Sequence, residues 1–272
     1  TAVPEVEPAT SQETASTPYQ SIPTPPATND PRRIRTCVLA DSLFGSLDGD
    51  LQMAVGSSDS SAILLGVDSE VAVAPASVLK LFTAVSAIRV LGPDFRFVTS
   101  VVAGEGGELW LVGGGDVTLT RLPGATYYGS LHSLDDLANQ VAQSAAQPPG
   151  VPIVVRSDVS RYDRFPPWDD TWRSGSAALG YVAPVSPLQV DGDRDQPAVR
   201  LSPRSTDPTA RATTWFAEAL SRATGTNPTT GPPGLAPDAP VIARVTSAPL
   251  SELVGIMLVD SDNSLAEVIA RE

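Results

Sequence analysis

Residues 77–91 read SVLKLFTAVSAIRVL, and the reading of the whole chain turns on them. Leu81, Val85 and Ile88 recur at helical spacing, with Leu79 and Phe82 widening the stripe. The segment is therefore expected to be a helix buried on most sides and ended by Gly92-Pro93. Its first turn carries Ser77 and Lys80, and residues i and i+3 share a helix face, so the amine can reach the hydroxyl. Lys80 is the only lysine in the chain. A free lysine titrates near about 10.4 and is a poor base at neutral pH, but burial disfavours its charged form. A neutral Lys80 can accept the Ser77 proton. The helix N-terminus then directs N–H groups at the anion formed as the serine oxygen attacks a carbonyl. A helix-start serine and a snorkelling lysine would give the same spacing, so S-x-x-K alone does not decide.

Before this segment, LQMAV at 51–55 and AILLGV at 62–67 flank the turn cluster GSSDSS and read as a β-hairpin. Residues 1–32 are rich in Pro and Thr and poor in large apolar residues, a composition that cannot repay the entropy of ordering; they read as a tether. After it, strands are expected at 97–103 and 108–113, followed by a GGGD turn. A helix around 134–145 and a strand at 151–155 come next. A helix at 209–223 stands in the Pro/Thr/Gly-rich stretch 202–240, and two helices, 250–259 and one starting near Ser264, close the sequence. No internal repeat is present.

Composition excludes several functions. With a net charge of -13 and a pI near 4.4, the chain lacks the clustered cations that nucleic acid requires. Cys37 is the only cysteine, which rules out an internal disulfide and a cysteine-rich zinc site. The longest apolar candidate, 78–91, is interrupted by Lys80 and Arg89 and is too short to span a bilayer. His132, the only histidine, lies in an expected loop, which argues against a Ser-His-Asp triad, and no glycine-rich phosphate loop precedes Lys80.

A second short motif, Ser261-Asp262-Asn263, falls in the break between the last two helices, where helix capping is the ordinary explanation. S-x-x-K, S-D-N and K-T-G together are the set of penicillin-binding proteins and β-lactamases, and two of the three occur here in the required order. Around them the sequence resembles the class C low-molecular-mass penicillin-binding proteins, which are D-Ala-D-Ala carboxypeptidases and endopeptidases. PASVLKLFTAVSAIRVLGPDFRFVT (75–99), LWLVGGGDVTLT (109–120), YVAPVSPLQVDGDR (181–194) and MLVDSDNSLAEVIARE (257–272) carry the resemblance over most of residues 50–272.

The resemblance implies an α/β fold of the α+β kind: a serine transpeptidase/β-lactamase-like domain with an inserted mixed α/β region. Residues 33–96 would form its first part, 97–245 the insertion and 246–272 the second part. It implies Ser77 as nucleophile, Lys80 as general base, Ser261 as proton relay to the leaving amine and Asn263 as a hydrogen-bond partner of the substrate amide. Asp116, in GGGDVT, matches an acidic position that meets a diaminopimelate ammonium in related enzymes, although Val117 replaces the usual proline; closure of the turn explains it equally well. The implied partners are peptidoglycan stem peptides and, as covalent inhibitors, β-lactams. The implied location is extracytoplasmic, and no metal or organic cofactor is called for.

K-T-G is missing, because the one lysine is spent in S-x-x-K, and the strand that carries it supplies half the oxyanion hole. The expectation is therefore a catalytic domain truncated after Glu272, its third motif carried by a C-terminal remainder of the same protein. Two other readings stay open: a catalytically silent homologue that scaffolds wall proteins, and a β-lactamase-like hydrolase.

Overall fold

The structure is a computed structural model and describes residues 51–56, 58, 63–124, 126–129, 132–144 and 150–272. The tether at 1–32, Cys37 and most of the GSSDSS turn lie outside the described residues. The chain divides into two compact units at Val73/Ala74. In the first, β1 (Met53–Gly56) and β2 (Ile63–Val67) pair antiparallel, Met53 opposite Val67, as the two short apolar runs flanking a turn cluster predict, with a register irregularity between Val55 and Gly56.

The second unit opens with a 3-10 turn, Ala76–Val78, that runs into α1 (Leu79–Leu91). A five-stranded sheet follows, built from β3 (Val98–Ala103), β4 (Glu108–Val112), β5 (Val154–Asp158), β6 (Thr229–Thr230) and β7 (Val241–Thr246) in the order β6-β5-β4-β3-β7. β3 pairs antiparallel with both β4 and β7, and β4–β5 and β5–β6 are parallel. Leu109 and Leu111 of β4 and Ala243 and Val245 of β7 alternate into one core. That core is covered by α2 (Leu134–Gln143) and α3 (Pro208–Thr224), whose Leu134, Leu137, Val141, Phe216 and Leu220 recur at helical spacing. Ser133 opens α2 with a capping box to Asp136, and Asp207 caps α3 just before Pro208.

A second core joins α1, α4 (Leu250–Asp260) and α5 (Asn263–Arg271) to Phe97, Val117, Tyr128, Tyr162 and Val185 from the segments that surround the sheet. Here α1 departs from the expectation of burial on most sides. Its inward residues are Lys80, Ala84 and Ala87, with Ile88 and Leu91 partly covered. Leu79, Leu81, Phe82, Val85 and Val90 are exposed. A helix apolar nearly all round has no single hydrophobic face for periodicity to select, and the small alanines permit the closest approach to α4 and α5. β7 was not anticipated, because VIARVT closes a Pro/Thr/Gly-rich stretch. β5 begins three residues later than expected and continues through the polar Arg156, Ser157 and Asp158.

Candidate active site

Ser77 sits in the 3-10 turn and Lys80 in the first turn of α1, so the S-x-x-K spacing crosses from one helix type to the other with the amine still beneath the hydroxyl. Lys80 Nζ donates to Ser77 Oγ at 3.3 Å and to Asn263 Oδ1 at 2.7 Å. Ser261 Oγ donates to Ser77 Oγ at 2.8 Å, closing a cluster across 184 residues of sequence. Asn263 Nδ2 donates to the carbonyl of Tyr181 at 3.3 Å. Burial pulls the Lys80 ammonium below the usual lysine range, opposed by the carboxylates of Asp262 and Glu267.

Two backbone positions in this cluster are left-handed without glycine: Ala76, just before the nucleophile, at φ 47°, and Ser261 at φ 54°. Such conformations cost on the order of 1–3 kcal/mol and persist where the surroundings over-determine them. At Ser261 the cause is visible. It is the left-handed residue that ends α4, a place usually taken by glycine, and the next residue is the N-cap of α5. The helix cap is supplied by Asp262, whose Oδ1 accepts from Leu265 N at 2.9 Å, and not by Ser261 or Asn263, so those two side chains are left for Ser77 and Lys80.

Ser77, Ser261 and Asn263 border a cleft of about 330 Å³ whose walls include Tyr181 and Arg200. Lys80 and Asn263 also border a neighbouring cavity of about 370 Å³ with Trp172, Arg173 and Glu267. Burial raises the Glu267 carboxyl above its ordinary range, against the pull of Arg271 and Lys80.

Asp116 is not brought into this cluster. Its carboxylate is buried, with Oδ1 accepting from Thr118 N at 2.9 Å and from Thr118 Oγ1 at 2.6 Å, and Oδ2 lying 2.7 Å from His132 Nε2. Both oxygens are committed within and beside the turn. The geometry thus matches turn closure. Sequence reasoning did not single out Arg194, Tyr128 or Glu267. Arg194 was part of a quoted segment, but nothing local marks its partner, Asp262, which lies 68 residues on.

The model of the D-Ala-D-Ala carboxypeptidase 3 (S13) family matches residues 40–205 and 194–272. The chain belongs to the S13 family. Among similar proteins, carboxypeptidase DacB of Mycolicibacterium smegmatis is 35% identical over 91% of this chain and 56% of its own length. Carboxypeptidase Rv3627c of Mycobacterium tuberculosis is 34% identical over 75% of this chain and 43% of its own. The S13 chain thus spans about half the length of these curated relatives. Penicillin binding protein 4 (dacB) of Haemophilus influenzae superposes with a TM-score of 0.60 at 18% identity, covering 77% of this chain and 59% of that one. The likeness places the S13 chain in the serine transpeptidase/β-lactamase-like fold, and the expected class C penicillin-binding-protein affiliation holds.

Proposed function

We propose that the protein is a serine D-Ala-D-Ala carboxypeptidase acting on peptidoglycan stem peptides through an acyl-enzyme. The observation that carries this reading is the hydrogen-bonded chain Ser261–Ser77–Lys80–Asn263. In the proposed cycle Ser77 Oγ attacks the carbonyl carbon of the penultimate D-alanine while Lys80, neutral at that moment, takes the hydroxyl proton. The C–N bond of the tetrahedral adduct breaks, and the departing D-alanine amine receives a proton through Ser261. Asn263 is positioned to bond the substrate amide in the cleft. Water then cleaves the Ser77 ester, its proton passing to the same basic groups. Endopeptidase action on peptide crosslinks uses identical steps with a longer leaving amine, and a β-lactam would acylate Ser77 and stay bound.

The S13 family and the relatives named carboxypeptidase support this reading. A peptidoglycan substrate puts the protein outside the cytoplasmic membrane; among the described residues no helix is long and apolar enough to cross one. In the same proposal residues 33–96 and 246–272 belong to the catalytic domain and 97–245 are inserted in it. The K-T-G strand, which needs a second lysine, comes from outside residues 1–272. The test is intact-mass measurement of the product of the whole reading frame, before and after benzylpenicillin, with peptide mapping. A penicilloyl adduct on Ser77 is expected; a complete protein that stays unmodified would overturn the proposal in favour of a silent homologue.

A further inference from the structure

Beside the Ser261-Asp262-Asn263 turn, in the wall of the same cleft, lies a buried cation that the cycle above does not use. Arg194 is 1% exposed. Its guanidinium carbon lies 3.9 Å from the ring centroid of Tyr127 and 4.5 Å from that of Tyr128. Each of its nitrogens is engaged: Nε donates to the Arg200 carbonyl at 3.3 Å, Nη1 to the Asp191 carbonyl at 3.0 Å and Nη2 to Asp262 Oδ2 at 3.1 Å. Tyr128 Oη donates to the same carboxylate oxygen at 3.2 Å. Asp262 is thereby held inward by both oxygens, one toward Leu265 N and one toward Arg194 and Tyr128.

This anchorage settles the direction of its neighbours. Of three consecutive side chains in the turn, the middle one faces the interior, and Ser261 and Asn263 face Ser77 and Lys80. Ser261 holds a left-handed backbone that a non-glycine residue leaves unless its surroundings forbid it. A buried ion pair contributes little net stability compared with a hydrophobic isostere, and its best-attested use is to select one arrangement over others. The planar guanidinium suits that use, because it pairs, stacks and donates to fixed carbonyls at once.

We propose that Arg194 is a positioning residue of the acyl-transfer site: by holding Asp262 inward it turns Ser261 and Asn263 onto Ser77 and Lys80. The inference rests on the reading of Ser77 as the nucleophile. It has an electrostatic side as well. Lys80 is faced by Asp262 and Glu267 and shares its cavity with Arg173. Removing the Arg194 charge takes the paired cation from Asp262, leaving Arg204 as the other buried guanidinium that acts on it, and favours ammonium at Lys80, whereas neutralising Asp262 does the reverse.

The test compares full-length wild type with Arg194→Met, Arg194→Lys, Asp262→Asn and the Arg194→Met/Asp262→Asn double variant. Arg211→Met serves as control, because Arg211 ties Asp193 and Asp195 of the same loop without touching Asp262. The readouts, taken on the folded fraction, are the rate of Ser77 acylation by benzylpenicillin and the titration of the Lys80 side chain by NMR, its signal assigned by loss in Lys80→Arg. Arg194→Met and Asp262→Asn are each expected to slow acylation at least about tenfold, with the double variant no slower than the worse single. Arg194→Lys should be intermediate and Arg211→Met unchanged. The Lys80 titration should move to higher pH in Arg194→Met and to lower pH in Asp262→Asn, opposite displacements that general loosening of the fold does not produce. Wild-type acylation rates in Arg194→Met and Arg194→Lys, or an unmoved Lys80 titration, would overturn the inference. Should Arg194→Met not fold, Arg194→Lys and Asp262→Asn decide by the same criteria. A wild type that is not acylated at Ser77 counts against the nucleophile reading, and the Lys80 displacements then still decide whether Arg194 governs the turn.

Discussion

Lys80 draws its chemistry from burial, and the sign of its pH dependence follows. The neutral amine is the form that accepts the Ser77 proton, and burial favours that form, so acylation should rise with pH through a midpoint below the ordinary lysine value of about 10.4. A pH–rate profile of penicillin acylation measures this, and a midpoint at or above that value would count against Lys80 as the base. Lys80→Arg keeps a cation but cannot shed its proton, and its acylation rate should drop by about 10²–10⁴-fold. These residues were legible in the sequence because S-x-x-K and S-D-N are local spacings that, ambiguous singly, occur here together and in the required order. Their supports were not. Asp262 meets Arg194 and Tyr128 across sequence separations of 68 and 134, and no short-range pattern records that. Asp116 was legible only as a choice: its motif position admitted both substrate contact and turn closure, and Thr118 and His132 take up its carboxylate.

Glycines separate what the elements tolerate. A methyl group added at Gly114, in the GGGD turn, would stand 1.8 Å from the carbonyl oxygen of Val98, so Gly114→Ala should destabilise by about 1–3 kcal/mol or more, since backbone must shift. Gly255, in the middle of α4, has nothing within 4 Å of an added methyl, and Gly255→Ala should stabilise by about 0.5–1 kcal/mol. Paired denaturant melts read both signs at once. At this scale the strong helices and the first strands were readable, because α2 and α3 carry one apolar stripe each between recognisable caps. The contacting face of α1 was not, its apolar residues lying on every side. Nor was β7, a strand whose Ala243 and Val245 matter only against β3 and the α2–α3 layer.

Across the molecule, three buried or half-buried tyrosines limit alkaline stability. Burial pushes Tyr127 up to about 12 and Tyr128 and Tyr162 further still. Unfolded tyrosine titrates near about 10, so above that pH the unfolded chain loses phenolic protons that the folded chain keeps, and stability falls as pH rises. Thermal melts from pH 9 to 12 should show the melting temperature dropping from about pH 10, with phenolate absorbance at 295 nm appearing together with unfolding. A phenolate signal from all the tyrosines while the protein is still folded would contradict this. The sheet carries a consequence of another kind. Because β7 returns beside β3, the excursion that separates α1 from α4 leaves and re-enters at neighbouring strands. Once that ladder has zipped, the segment to be closed between Ser77 and Ser261 shrinks from 184 residues to roughly 40, which lowers the loop-closure cost by ~1.4 kcal/mol. The topology thus makes the meeting of the reactive hydroxyls cheaper after the strands have paired than before, so the site draws part of its closure from a sheet that carries none of its chemistry.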